Sequence, residues 1–380
     1  MSALFALGFR PLYLAAGAFS ALSIAAWSGV FAGWIPPGYL HGHPLWHAHE
    51  MIFGYTFAVI VGFLFTAGSN WSGQPTPRGA ALAGIVAAWV LARFFALSPL
   101  SWLSLPFDVA FAFAAAVGLG IALWRARNTR NYFFVVLLAA IGLLNIAFHL
   151  AILGRIPVDL GRVIMIALDI VLFICAVMAG RVIPMFTNNA ILGAGARRTL
   201  ALERAALGSL LALIAVDVLA LPSPVVATVA AFAAVAHGWR LFLWSPWKTR
   251  SKPIVWILHA SYAWIVVHLA LRAAAALELL PATLATHALT VGAVGGLTIG
   301  MMTRTARGHT GRVLETTLVE TAAYVLVMLA ALVRVFVPMV PGWTMPAIVF
   351  SGLLWAAAFV LFTIAYWPIL SRPRLDGRPG

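Results

Sequence analysis

Residues 132–153 read Tyr-Phe-Phe-Val-Val-Leu-Leu-Ala-Ala-Ile-Gly-Leu-Leu-Asn-Ile-Ala-Phe-His-Leu-Ala-Ile-Leu, without one Lys, Arg, Asp or Glu. As a helix this run is long enough to cross a hydrocarbon core of about 30 Å. It is too long for a strand and lacks the polar face of a soluble helix. Working outward, eleven more apolar runs stand between Pro, Gly and charged punctuation. The twelve lie near 12–34, 45–68, 79–97, 103–124, 132–153, 162–184, 201–219, 224–244, 254–276, 282–303, 317–337 and 346–369. The sequence therefore predicts an all-α polytopic membrane helix bundle of about twelve transmembrane helices. The connections are short, so residues 1–380 are expected to form a single integral-membrane domain.

Composition agrees. Of the 380 residues 63% are hydrophobic and 9% charged, with a mean hydropathy of +1.01. A water-facing globule carries roughly a quarter charged residues, so a soluble fold is excluded. The net charge of +14 does not point to nucleic acid. The basic residues sit in short clusters between apolar runs, where lipid headgroups would lie. The single cysteine, Cys175, excludes an intrachain disulfide, a covalent haem attachment of the CxxCH kind and a thiolate cluster. Residues 1–10 lack an Arg/Lys-led leader with a small-residue cleavage site, so the first run is expected to remain a span.

Nineteen of the twenty-four Lys and Arg residues fall at the N-terminus, in the loops after the even-numbered runs, in the C-terminal tail or at nearby helix ends. Both termini are therefore expected to be cytoplasmic. The chain reads as a multi-pass protein of a bacterial inner (cytoplasmic) membrane, with the lipid bilayer as its first partner.

Under that topology seven of the ten histidines lie toward the outer face. His41, His43, His47 and His49 crowd into the first outer loop and the start of the second run. On an α-helix, residues two apart point roughly 200° apart, so His47 and His49 would not share one metal there. They would serve two sites, or one would ligate while the other orients. An irregular turn would instead let all four histidines converge on one copper. Glu50 would share a side with His47, as in the carboxylate-plus-histidine sets of helical bundles. His259 and His268 share a run but lie about 13 Å apart along it, so they belong to two depths. His287 opens the tenth run and His309 closes its basic end. Imidazole suits copper, zinc and haem iron, and buried polar groups in a membrane are costly. Solvation of the loop histidines and capping of helix ends by the rest is the plainer alternative.

Gly292, Gly296 and Gly300 recur every four residues in the tenth run. Such a stripe either permits close helix packing or offers a flat bed to a macrocycle. Arg181 lies within a run rather than beyond it, and would clasp an anionic group such as a haem propionate. Arg304 is a second cofactor-binding candidate at the same edge. Arg93 and Asp108, on adjacent runs, are expected to pair. Asp169 and Asp217 are candidates for a proton path.

The ordered motifs Gly8-Phe9-Arg10-Pro11, His47-Ala48-His49-Glu50-Met51, Asn70-Trp71, Arg181-Val-Ile-Pro184-Met-Phe-Thr-Asn188-Asn189, Leu258-His259-Ala-Ser-Tyr262-Ala-Trp264, His287-Ala-Leu-Thr, Gly300-Met-Met-Thr-Arg304 and Gly308-His309-Thr-Gly-Arg312 resemble the NnrS family. That resemblance implies a twelve-span bacterial inner-membrane protein with non-covalent haem b and copper, linked to nitric oxide and nitrosative stress. It makes His47, His49, His259, His287 and His309 the first metal-ligand candidates, with Glu50 beside them; His268, His149 and His43 rank lower. The layout and the His-x-His at a helix end are also similar to haem–copper oxidases and nitric oxide reductases, where such a pair serves metals on both sides of a helix. The resemblance thus implies redox binding or reduction of nitric oxide or another small diatomic. Quinol or another electron donor could dock at an inner or outer groove, but no stretch of the sequence identifies such a site. Two other functions fit the same features. One is a secondary transporter of a small solute or metal complex. The other is a nitric oxide-binding or sensing haem protein without turnover.

Overall fold

The computed structural model describes residues 3–36 and 45–377, and among these every regular element is helical. His41 and His43 lie outside the described residues. Twelve long helices follow one another: α1 Phe9–Phe31, α2 Trp46–Ser72, α3 Ala80–Ala96, α4 Ser104–Arg125, α5 Tyr132–Ile152 and α6 Leu160–Ala190. Then come α7 Leu200–Val218, α8 Ser223–Leu243, α9 Pro253–Ala276, α10 Ala282–His309, α11 Leu318–Phe336 and α12 Thr344–Ser371. Among the described residues ten helices are long and apolar enough to cross a membrane. The other two are α3, with 17 residues, and α7, which carries Glu203, Arg204 and Asp217.

Three helices outrun the apolar runs that announce them. α6 continues through Pro184 to Ala190. The proline removes one backbone donor and crowds the carbonyl of Gly180, a loss that neighbouring helices in a bundle can compensate. Past it, Asn188 latches the following loop: its side-chain amide donates to the Ala196 carbonyl at 2.8 Å and accepts from Ala196 N–H at 2.9 Å. α2 and α10 likewise extend into polar residues that an apolar window discards, at 69–72 and 304–309.

Two helices contain wide π turns, Glu50–Thr56 within α2 and Ala288–Gly295 within α10. The first is marked by Thr56 Oγ1, which donates to the Met51 carbonyl five residues back at 2.7 Å. Each π segment directly follows a histidine, His49 or His287. Such turns rephase the side chains behind them and recur at functional sites.

The chain divides into two compact units. The first comprises Met1–Ala167, Met302–Leu314 and Phe359–Gly380; the second comprises Leu168–Met301 and Glu315–Ala358. In the first, α1 packs on α2, α2 and α3 pack on α4, and α4 packs on α5. Arg10, fully buried in the first turn of α1, donates to the carbonyls of Leu370 and Arg372 at 3.0 and 2.8 Å. It thereby satisfies carbonyls left open at the end of α12.

In the second unit α7, α8, α9, α10 and α11 pack in succession. The glycine stripe of α10 is the seam with α9. An added Cβ would fall 2.4 Å from Trp264 at Gly292, 2.0 Å from Ser261 Oγ at Gly296 and 2.9 Å from Leu258 at Gly300. Small residues here let the two backbones approach. α8 is pinned by Arg240, whose guanidinium grips Glu203 of α7 at 2.8 and 2.6 Å and donates to the Ala176 carbonyl of α6 at 2.9 Å. It also donates to Tyr262 of α9 at 2.8 Å. Tyr262 in turn donates to His237 Nδ1, since His237 Nε2 must donate to the Ala206 carbonyl at 3.0 Å. Gly180 of α6 makes room for this knot.

Candidate metal centre

In the first unit α2 and α4 begin, and α3 and α5 end, at one end of the helices, so residues far apart in sequence meet there. Glu50, Arg93, Asp108 and His49 are all buried, and His149 is half-buried. Arg93 bridges two helices, its Nε 2.7 Å from Glu50 Oε2 and its Nη2 2.6 Å from Asp108 Oδ1. Asp108 Oδ2 accepts from His149 Nε2 at 3.0 Å and lies 3.7 Å from His49 Nε2. One ligand atom from each of His49, Asp108 and His149 lies within 4.8 Å of the others.

The histidines are held in place. His49 Nδ1 lies 2.9 Å from Glu50 Oε1, which can only accept, so this nitrogen carries a proton. Its Nε2 faces the Asn145 side-chain oxygen at 2.9 Å. With the amide turned over, its NH2 would meet the lone pair instead. The His49 ring also packs against Phe148 and His149 at centroid distances of 4.9 Å. Behind the cluster, Gly54 leaves the space that Glu50 and Arg93 occupy: a Cβ there would sit 3.0 Å from Glu50 Oε2 and 3.2 Å from Arg93 Nη1. Its carbonyl accepts from Trp89 Nε1 at 2.9 Å.

Two carboxylates against one guanidinium leave one negative charge over. A protonated histidine or a bound cation balances it. Two imidazoles and a carboxylate are an ordinary set for copper, zinc or iron, with Glu50 as the carboxylate that orients His49. His149 Nε2 donates to Asp108 as the structure stands, and a cation held by the three would replace that proton.

His47 points elsewhere and stacks on Trp27, the rings 5.3 Å apart and inclined by 7°. The divergence of His47 and His49 follows helical spacing. Glu50, however, pairs with His49 and Arg93 rather than with His47, its carboxylate lying 2.9 Å from His49 Nδ1 and 2.7 Å from Arg93 Nε. His309, also in the first unit, packs on Phe9 at 5.7 Å, and its carbonyl accepts from Arg374 at 3.0 Å. Arg304 is buried in the same unit.

The second unit repeats the motif of a guanidinium between two carboxylates beside a histidine. Arg272 donates to Asp169 Oδ1 at 2.5 Å and also binds Asp217 Oδ2. One turn earlier, His268 Nδ1 lies 2.8 Å from the Ala285 carbonyl, so Nδ1 carries the proton and Nε2 the lone pair. That Nε2 is buried and meets no donor. His287 Nδ1 lies 2.7 Å from the Thr283 carbonyl, which fixes the same tautomer. His259 Nε2 contacts Thr187 Oγ1 at 2.8 Å. Arg181 is half-buried on α6. Gly292 and Gly296 face Trp264 and Ser261.

A family model described as NnrS protein matches residues 3–374. The chain belongs to the NnrS family. No curated protein matches the sequence. In this NnrS chain the motif histidines divide between the units, His47, His49 and His309 in the first and His259 and His287 in the second. The grouped set also includes Asp108, which the sequence assigns only to Arg93, and His149, which lies outside the motifs. Asn145 completes it. Asn145 and His149 stand four apart in the apolar stretch that announces α5, a spacing that puts both on one face. Shared spacing also links His49 to Gly54 and His287 to Gly292, each five residues on and each inside a π segment.

Proposed function

We propose that this NnrS-family membrane protein binds copper and haem b and carries out redox chemistry on nitric oxide or another small diatomic at the inner membrane of a bacterium. The supporting observation is the His49–Asp108–His149 group, two of its members buried and the third half-buried, within a chain of this family. Its donor set suits copper, and Glu50, Asn145 and Arg93 fix the orientation and charge of its ligands. A haem needs an imidazole whose lone pair is on the nitrogen remote from Cβ and whose other nitrogen is anchored. His268 meets both conditions with a buried Nε2 and an Nδ1–H on Ala285.

Metals of this kind supply one-electron chemistry and a binding position for a diatomic. The chain's part is to hold imidazoles in one tautomer, to offset charge with Arg93 and Arg272, and to exclude water by burial. The test is the optical spectrum of detergent-purified protein, oxidised and dithionite-reduced, before and after nitric oxide is added. A Soret band that shifts on reduction and again with nitric oxide, alongside bound copper, supports the reading. A colourless, metal-free protein after expression with ample haem and copper overturns it and leaves a carrier as the better account. A spectrum that responds to nitric oxide with no consumption of the gas by the reduced protein separates binding from turnover.

A further inference from the structure

In the second unit an open groove of about 510 Å³ lies beside α9, lined by residues that include Leu241, Trp247, Arg250, Trp256, His259 and Ala263. That volume is typical of a small-molecule site. Two indoles give it flat apolar walls, the exposed Arg250 stands in its lining, and Thr249, which donates to the Pro246 carbonyl, and His259 are its buried polar residues.

The protonation of His259 follows from its neighbours. Thr187 Oγ1 has one hydrogen, and donates it to the Ile183 carbonyl at 2.8 Å. Its contact with His259 Nε2 at 2.8 Å must therefore be an N–H of the imidazole donating to the hydroxyl oxygen. Nδ1 is left with a lone pair, buried and without a donor. A buried acceptor without a donor, in a residue that lines the groove, is the complement of a hydroxyl group that can donate.

A haem is poorly matched to this nitrogen. Nδ1 adjoins the carbon bearing Cβ, and the side chain's own stem would press on a porphyrin plane bound there. A ring hydroxyl needs only the lone pair. We infer that this groove is a hydroquinone site, in which one ring hydroxyl donates to His259 Nδ1 and the ring lies against Trp247 and Trp256. The choice of a hydroquinone over another aromatic alcohol rests on the redox reading above, which requires an electron donor; a hydroquinone is one that a flat, apolar-walled site beside a span would take.

The test is anaerobic titration of the purified protein with decylhydroquinone and, separately, its oxidised quinone, read by calorimetry. Wild type should bind the reduced form about tenfold more tightly, because the quinone carbonyl cannot donate to Nδ1 and one hydrogen bond is lost. His259→Leu should abolish that preference. Ala263→Trp, which fills the groove and removes no polar group, should abolish binding of both forms. Thermal unfolding and circular dichroism matching wild type qualify each variant; if one fails to accumulate, the reduced-over-oxidised preference of wild type still decides. Equal affinity for the two forms, indifference to both substitutions, or no binding overturns the site, and a water at Nδ1 then explains the lone pair. Hydroquinone binding by a protein without haem or copper keeps the site while the redox reading fails. A haem- and copper-loaded protein indifferent to hydroquinone removes the site alone.

Discussion

Gly180→Ala adds one methyl group to α6 at the place where Arg240 is buried. The new Cβ would lie 1.8 Å from Arg240 Nη2, 2.8 Å from its Cζ and 3.0 Å from Glu203 Oε2. Arg240 is only 1% exposed, so the guanidinium has little room to move without leaving Glu203, Tyr262 or the Ala176 carbonyl. Breaking a buried pair costs about 3–5 kcal/mol. Alanine regains about 1 kcal/mol over glycine within a helix. The net loss should be about 2–4 kcal/mol, measured by reversible unfolding in mixed detergent–SDS micelles with tryptophan fluorescence. A double-mutant cycle isolates the cause. Once Arg240→Met has removed the guanidinium, Gly180→Ala should cost little or be favourable, so the two effects should fall short of additivity by more than about 1 kcal/mol. A Gly180→Ala cost below about 0.5 kcal/mol, or strict additivity, would refute the reasoning.

Three further outcomes are expected. Gly54→Ala, which crowds Glu50 and Arg93 without removing a ligand, should lower bound copper measurably while leaving haem absorbance unchanged; metal analysis and spectra of one preparation check this. Arg272→Leu leaves Asp169 and Asp217 without their shared cation and should cost about 3–5 kcal/mol, whereas Asp169→Asn keeps the Arg272–Asp217 pair and should cost markedly less, both read from unfolding midpoints. A fluorescent reporter that matures only in the cytoplasm, fused after residue 380, should glow if the distribution of Lys and Arg sets the orientation.

The helices were legible because most of the apolar runs are long enough to cross a membrane while polar residues concentrate at run ends. Their exact ends were not. Pro184 reads as a stop in water but is carried inside α6, and the polar last turns of α2 and α10 escape a hydropathy window. The Arg93–Asp108 pair was legible, since two opposite charges on adjacent spans near one face have few other partners. The convergence of His49, Asp108 and His149 depends on which helix packs on which, and adjacency along the chain does not determine that. α-Helical spacing puts Glu50 on the side of His47, but its carboxylate is claimed by Arg93 of another helix and by His49, which spacing does not show. No local pattern marks Gly180 or Gly54, because the groups they admit come from distant positions. The four-residue glycine stripe of α10, by contrast, displays its packing period openly.

The central claim is that His49, Asp108 and His149 together hold a metal, and it is tested most directly by copper content and electron paramagnetic resonance of three purified proteins. Wild type and His47→Leu should each carry copper with the same imidazole-nitrogen hyperfine pattern, since His47 stacks on Trp27 away from the group. His149→Leu should lose the copper while keeping haem absorbance and an unfolding midpoint close to wild type. Unchanged copper and an unchanged spectrum in His149→Leu, or loss of both in His47→Leu, would contradict the assignment.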